Sequence, residues 1–157
     1  MIDKKQLCKF LATAKRSTYA AGETAKKIVE DDKSTTLIFE DGDLKYHDNY
    51  FGGEPFGGRE VVFLQNEPIY IMTYYGLVDE SVSDFEAVYK ILQKALSLIP
   101  EDYPFRGPNE YCEDGLTYKN SYTGEIDNFF GEEIISSVDG KEIYKAKYIG
   151  GFVNQRK

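Results

Sequence analysis

The sequence repeats itself, and that repeat limits what the chain can build. Leu44-Lys45-Tyr46-His47-Asp48-Asn49-Tyr50-Phe51-Gly52 returns as Leu116-Thr117-Tyr118-Lys119-Asn120-Ser121-Tyr122-Thr123-Gly124. Phe56-Gly57-Gly58-Arg59-Glu60-Val61-Val62 returns as Phe129-Phe130-Gly131-Glu132-Glu133-Ile134-Ile135. Ile69-Tyr70 and Tyr74-Tyr75-Gly76 return as Ile143-Tyr144 and Tyr148-Ile149-Gly150. The apolar run Leu7 to Ala14 also echoes Val88 to Ala95. The expectation is a single domain over residues 1–157, built of two repeats, about 1–78 and about 79–157.

Each repeat reads as a helix followed by strands. Leu7, Phe10, Leu11 and Ala14 share one helical face, so a helix is expected from about Lys4 to about Ser17, started by Asp3. Lys4, Lys5, Lys9, Lys15 and Arg16 read as its solvated side. Ser83 with Glu86 resembles a capping box for a second helix, which Pro100 ends. Segments of alternating apolar and polar residues, turned at Asp41-Gly42 and Asp139-Gly140, read as strands, while Glu23 to Thr36 reads as a loop or a short extra strand. The expected class is α+β: an internally duplicated helix plus antiparallel three-stranded meander, pseudo-two-fold, with antiparallel sheets packed on two helices.

Composition excludes several functions. A formal charge of −8 among 157 residues lacks the basic footprint of a nucleic-acid binder and disfavours an anionic membrane surface. The opening Met-Ile-Asp-Lys-Lys leads into no signal-peptide core, and no apolar stretch approaches a membrane span. Cys8 and Cys112 have no metal-ligand spacing. These features describe a reduced, cytoplasmic protein with no metal and no cofactor.

Strand parity gathers the candidate site. Leu44, Tyr46, Asp48 and Tyr50 fall on one face, as do Tyr118, Asn120 and Tyr122 in the second copy; Tyr70 and Tyr74 match Tyr144 and Tyr148. Such stripes form either the core or the wall of a pocket, and pockets favour seams between structural halves. Residues shared by both copies, Glu60 and Glu133 among them, read as architecture. Residues that differ are better candidates for a role: Asp48 against Asn120, His47 against Lys119, and the unmatched Arg16 and Arg106. His47 lies off the aromatic stripe and reads as exposed.

Ala14-Lys15-Arg16-Ser17-Thr18-Tyr19-Ala20, Tyr46-x-Asp48-x-Tyr50-x-Gly52-Gly53-x-x-Phe56-x-Gly58-x-Glu60, Met72-x-Tyr74-Tyr75-Gly76 and Phe105-Arg106-Gly107-Pro108 together resemble an uncharacterised bacterial and archaeal domain family. Its members are small stand-alone proteins, or domains that follow a helix-turn-helix module of the XRE type in predicted regulators. The resemblance implies a fold and a context, not a reaction.

The leading expectation is a non-enzymatic small-molecule-binding or sensory domain. Its aromatic-lined cleft between the repeats would use Tyr46, Asp48, Tyr50, Tyr74, Arg16, Arg106, Tyr118, Asn120 and Tyr148. One alternative is a protein-interaction module with an exposed aromatic patch. The other is an acid/base enzyme drawing on Asp48, Glu60 or His47.

Overall fold

In the computed structural model, residues 2–155 are described, so the outermost ends of the two expected repeats lie outside the described residues. Nine strands form one antiparallel sheet in the order β1-β2-β3-β4-β5-β9-β8-β7-β6. The first five are β1 (Lys27–Val29), β2 (Thr35–Asp41), β3 (Leu44–Gly52), β4 (Phe56–Leu64) and β5 (Glu67–Val78). The other four are β6 (Glu110–Glu113), β7 (Leu116–Glu125), β8 (Asn128–Ser136) and β9 (Glu142–Phe152). Helix α1 (Lys4–Ser17) precedes the first group, and α2 (Phe85–Ser97) joins the two.

This overturns the α+β expectation of two helices, each carrying a three-stranded meander. The fold is dominated by one continuous sheet, with five strands before α2 and four after it. Two physical reasons account for the difference. The edge strands β1 and β6 are only three and four residues long, too short to show alternation. The last strand of each group, β5 and β9, pair with each other, so neither meander ends at an edge there.

Their register is informative. Tyr74 stands opposite Tyr148, with Met72 opposite Gly150 and Gly76 opposite Ala146. Tyr74 therefore faces its own sequence counterpart, while Met72 and Gly76 face the counterparts of each other, as a pseudo-two-fold through the central pair requires. One row across the sheet reads Tyr50, Gly58, Tyr74, Tyr148, Gly131, Tyr122. An adjacent row starts Asp48, Glu60, Met72, which brings two carboxylates to one face.

Both helices lie on that face. Asp3 caps α1 by accepting from the Gln6 amide, and Leu7, Phe10, Leu11 and Ala14 pack against Tyr46, Tyr70 and Phe129. Asp84, one residue beyond the expected Ser83, caps α2 through the Ala87 amide. Val88, Ile91, Leu92 and Ala95 pack against Tyr118, Tyr144 and Phe56. Each helix thus touches a phenylalanine from the other half, which locks the halves together. No helix among the described residues is long and apolar enough to cross a membrane.

Candidate functional site

Between the helices and the sheet lie five charged side chains: Lys15, Asp48, Glu60, Arg106 and Glu133 are all buried. Buried charges are costly unless paired and hydrogen-bonded, so their partners decide what each can do.

Glu133 is saturated. Its Oε1 accepts from Arg106 Nε at 3.0 Å and Nη2 at 2.6 Å, and from the Tyr144 hydroxyl at 2.9 Å. Its Oε2 accepts from the Tyr118 hydroxyl at 2.6 Å, and that hydroxyl in turn accepts from the Gly107 amide. Glu60, its counterpart in the first copy, is less well served. Lys15 Nζ lies 2.7 Å from Glu60 Oε2, but that oxygen is met as an ion pair rather than by an aligned hydrogen bond. The Tyr70 hydroxyl, counterpart of that of Tyr144, is buried and has no partner among the described residues. Burial pushes the Lys15 ammonium down from its usual range, and the charge of Glu60 opposes the shift.

With Lys15 on Glu60 and Arg106 on Glu133, Asp48 is left with no cation of its own among the described residues. Its Oδ1 accepts from the Tyr74 hydroxyl at 2.5 Å. The Arg106 guanidinium sits 5.5 Å above the Tyr74 ring, near enough to be felt but bonded elsewhere. Burial, and then the neighbouring charge of Glu60, push the Asp48 carboxyl up to about 7. It is a buried acid on the edge of ionisation at neutral pH.

Asp48 also opens onto a cavity of about 240 Å³ at the seam between the halves. Asp48, Tyr74 and Arg106 form its polar end, and Tyr50 and Phe56 its aromatic wall. Helix α2 contributes Tyr89 and Gln93, and the 3₁₀ segment after α1 contributes Tyr19. Tyr89 is held in place through its hydroxyl, which donates to Glu54 and lies 2.9 Å from the Gly53 carbonyl. Burial raises the phenols of Tyr19, Tyr74 and Tyr89 far above their ordinary range, so they act as hydroxyl donors and not as bases. Larger hollows of about 620 Å³ beside the β2–β3 turn and about 780 Å³ on the opposite face touch none of the five buried charges.

The expected site residues divide into three groups. Asp48, Tyr50, Tyr74 and Arg106 meet at the cavity. Tyr46, Tyr118, Asn120 and Tyr148 are buried in the packed interior; Asn120 accepts from the Tyr148 hydroxyl and donates to the Gly107 carbonyl. Arg16 points away, donating to the Ile99 carbonyl and facing Glu101. His47 is half-buried on the opposite face of the sheet, its ring against Phe63.

Lys15 is the clearest correction, since it is buried and not on a solvated helix side. The signal was present: it stands four residues after Leu11 on the apolar stripe, where a lysine needs a buried anion. Glu60, read from the repeat as architecture, faces this helix lysine. Tyr19, Phe56, Tyr89 and Gln93 were not singled out, and only the helical spacing of Tyr89 and Gln93 places them on one side of α2.

No curated protein and no solved structure matches the chain. A family model does, over residues 48–153, a span that begins at Asp48 and includes Glu60, Arg106 and Glu133. The chain therefore belongs to DUF5680, a family described as a domain of unknown function.

Proposed function

We propose that this protein is a non-enzymatic small-molecule-binding domain of sensory type, and that the cavity beside Asp48 is its binding site. The observation that carries the reading is a buried carboxyl, without a cation of its own, opening onto an aromatic-lined cavity of about 240 Å³. An uncompensated buried acid destabilises a fold. A ligand that supplies its missing partner turns that cost into affinity. The volume is slightly below that of drug-sized pockets and suits a small metabolite. The resemblance to domains that follow helix-turn-helix modules supports using such binding as a signal, in the cytoplasm and without nucleic-acid contact by this domain itself.

Binding is favoured over acid/base catalysis by what faces the cavity. Asp48 is the only carboxylate among the described lining residues, and the phenols beside it are held protonated. Glu60 is engaged with Lys15, and His47 lies across the sheet. A reaction needs a second group placed to exchange a proton or attack.

The test is a thermal-shift screen of small metabolites against the wild type and against Gln93→Phe, which puts a ring into the cavity. Hits that raise the melting temperature of the wild type and lose that effect in the variant support the reading. Hits that stabilise both proteins equally would place binding elsewhere and remove the cavity from consideration.

A second reading, a protein-interaction surface, rests on the sheet face that the helices leave open. Phe51, Tyr75, Phe130 and Ile149 are each at least half exposed there. Tyr75 lies two ladder steps from Phe51, and Ile149 pairs with Phe130. An exposed apolar group of this kind marks a contact site when it is contiguous.

A further inference from the structure

The two halves hold equivalent hollows, and the chain fills one of them itself. In the second half Phe105 is fully buried between Tyr122 and Phe129, with ring centroids 5.0 and 3.9 Å away. Just beyond it, the Gly107 carbonyl accepts from Asn120 Nδ2 at 3.1 Å. The counterparts of Tyr122, Phe129 and Asn120 are Tyr50, Phe56 and Asp48, and all three line the cavity. Among the described residues no ring stands between Tyr50 and Phe56 as Phe105 stands between their twins. The rings that Phe56 meets are Tyr74, Tyr89 and Tyr144, with centroids 6.1, 6.1 and 6.4 Å away.

The filled hollow therefore shows what the open one accepts. It takes a flat ring stacked on the phenylalanine and flanked by the tyrosine, with a polar group directed at residue 48 or 120. The difference between the halves lies in that polar partner. Asn120 uses Oδ1 to accept from Tyr148 and Nδ2 to donate to a carbonyl. Asp48 also uses Oδ1 to accept from Tyr74, but its Oδ2 stands where the amide nitrogen would be. In its ionised form the carboxylate only accepts, so an occupant that holds Asp48 ionised presents N–H rather than C=O.

Resting on the binding reading above, we propose that the ligand is a planar aromatic or heteroaromatic molecule bearing a protonated nitrogen or N–H edge, with its ring between Tyr50 and Phe56 and its N–H groups on Asp48. Charge-assisted hydrogen bonds to a carboxylate are about twice as strong as neutral ones, and a cation replaces the partner that Asp48 lacks within the fold. Arg106 closes the same end of the cavity with its charge already paired to Glu133.

The test compares two probes of the same shape and opposite charge, benzamidine and benzoate, by heteronuclear NMR titration of the wild type and Asp48→Asn. The substitution installs the residue that the second half already uses, so a folded variant is expected. A further variant, Tyr50→Ala, removes the ring contact and keeps the acid. The expected result is benzamidine binding that perturbs the resonances of Tyr50, Phe56 and Tyr89. Its affinity should fall at least 10-fold in Asp48→Asn and also fall in Tyr50→Ala, with no benzoate binding at the cavity. If benzoate binds there, or benzamidine binds there equally well in Asp48→Asn, the ligand class is wrong although the cavity still binds small molecules. If neither probe perturbs the cavity and the metabolite screen also yields no cavity-dependent hit, both this proposal and the binding reading fall.

Discussion

Tyr74 and Tyr148 stand directly opposite each other where the two halves of the sheet meet, and their hydroxyls reach in opposite directions to a carboxylate in one half and an amide in the other. Tyr74 donates to Asp48 and Tyr148 to Asn120. At this pair the tyrosines and their hydrogen bonds are duplicated, and the change from amide to acid is one point where the halves differ in chemistry.

That acid should govern how stability depends on pH. An unfolded aspartate titrates near 3.9, whereas burial and Glu60 hold Asp48 up to about 7 in the fold. Between those values the folded chain keeps a proton that the unfolded chain has released. The group's contribution is therefore fully present below about pH 4 and is lost as pH rises toward 7. Asp48→Asn removes that loss. Urea denaturation should show the variant gaining on the wild type between pH 4 and pH 8, by on the order of 4 kcal/mol. A difference that does not change with pH would assign the titration to another group.

The two ion pairs should respond differently to loss of their anion. Glu133→Gln leaves the Arg106 guanidinium buried and charged, because arginine does not deprotonate in proteins. It should cost about 3–5 kcal/mol at every pH tested. Glu60→Gln leaves Lys15, whose ammonium burial already pushes down, free to shed its proton. Below its folded pKa the cost is full, and it shrinks as pH rises toward the unfolded lysine value near 10.4. Chemical denaturation of both variants across pH 7 to 10 checks this, and parallel behaviour would contradict the pairing described here.

Phe105 serves as a plug, and its removal should be felt as a cavity. Phe105→Ala deletes a fully buried ring stacked on Phe129, at a cost of about 3–5 kcal/mol. The second hollow then opens over Asn120. The Gly107 carbonyl still accepts from Asn120, so small apolar aromatic molecules, toluene for example, should raise the melting temperature of this variant and not that of the wild type. Lack of any such rescue would mean that the emptied hollow collapses.

How much of this was legible in the sequence depended on whether a residue's role is local or comes from packing. Strand parity put Tyr46, Asp48 and Tyr50 on one face of their strand and Tyr70 and Tyr74 in a second stripe, because alternation is a property of the strand alone. The repeat also identified Asp48 against Asn120 as a difference worth following. The pairing of β5 with β9 left no such trace, since nothing local tells a strand whether its outer edge is covered. Edge strands as short as Lys27–Val29 present too few residues to alternate. Phe105 sits in a proline-flanked segment without periodicity, so its burial is visible only from the sheet below it. Tyr89 and Gln93 face the cavity only because α2 lies across the seam.

Gly58 and Gly131 explain why the repeated Phe-x-Gly-x-Glu motif keeps its glycine, and they offer the most direct way to disturb the site without touching its polar groups. Each stands opposite a central tyrosine, Gly58 across from Tyr74 and Gly131 across from Tyr148. A Cβ at Gly58 would lie 2.7 Å from the Tyr74 hydroxyl and 2.5 Å from the Asn49 carbonyl; at Gly131 one would run into the Tyr148 hydroxyl. The rings lie over the space a side chain would occupy, and this lets the hydroxyls reach Asp48 and Asn120. Gly58→Ala must therefore displace Tyr74, and a destabilisation of about 1–3 kcal/mol is expected from overpacking. Displacement also removes a hydrogen bond that favours the charged form of Asp48, so the carboxyl should titrate above its wild-type value. The pH range over which stability is lost then moves upward, and an N–H-bearing probe such as benzamidine binds less tightly at pH 7. NMR titration of the Asp48 carboxyl in both proteins reads the shift directly. An unchanged or lowered value would show that the Tyr74 hydroxyl does not hold Asp48 in its ionised form.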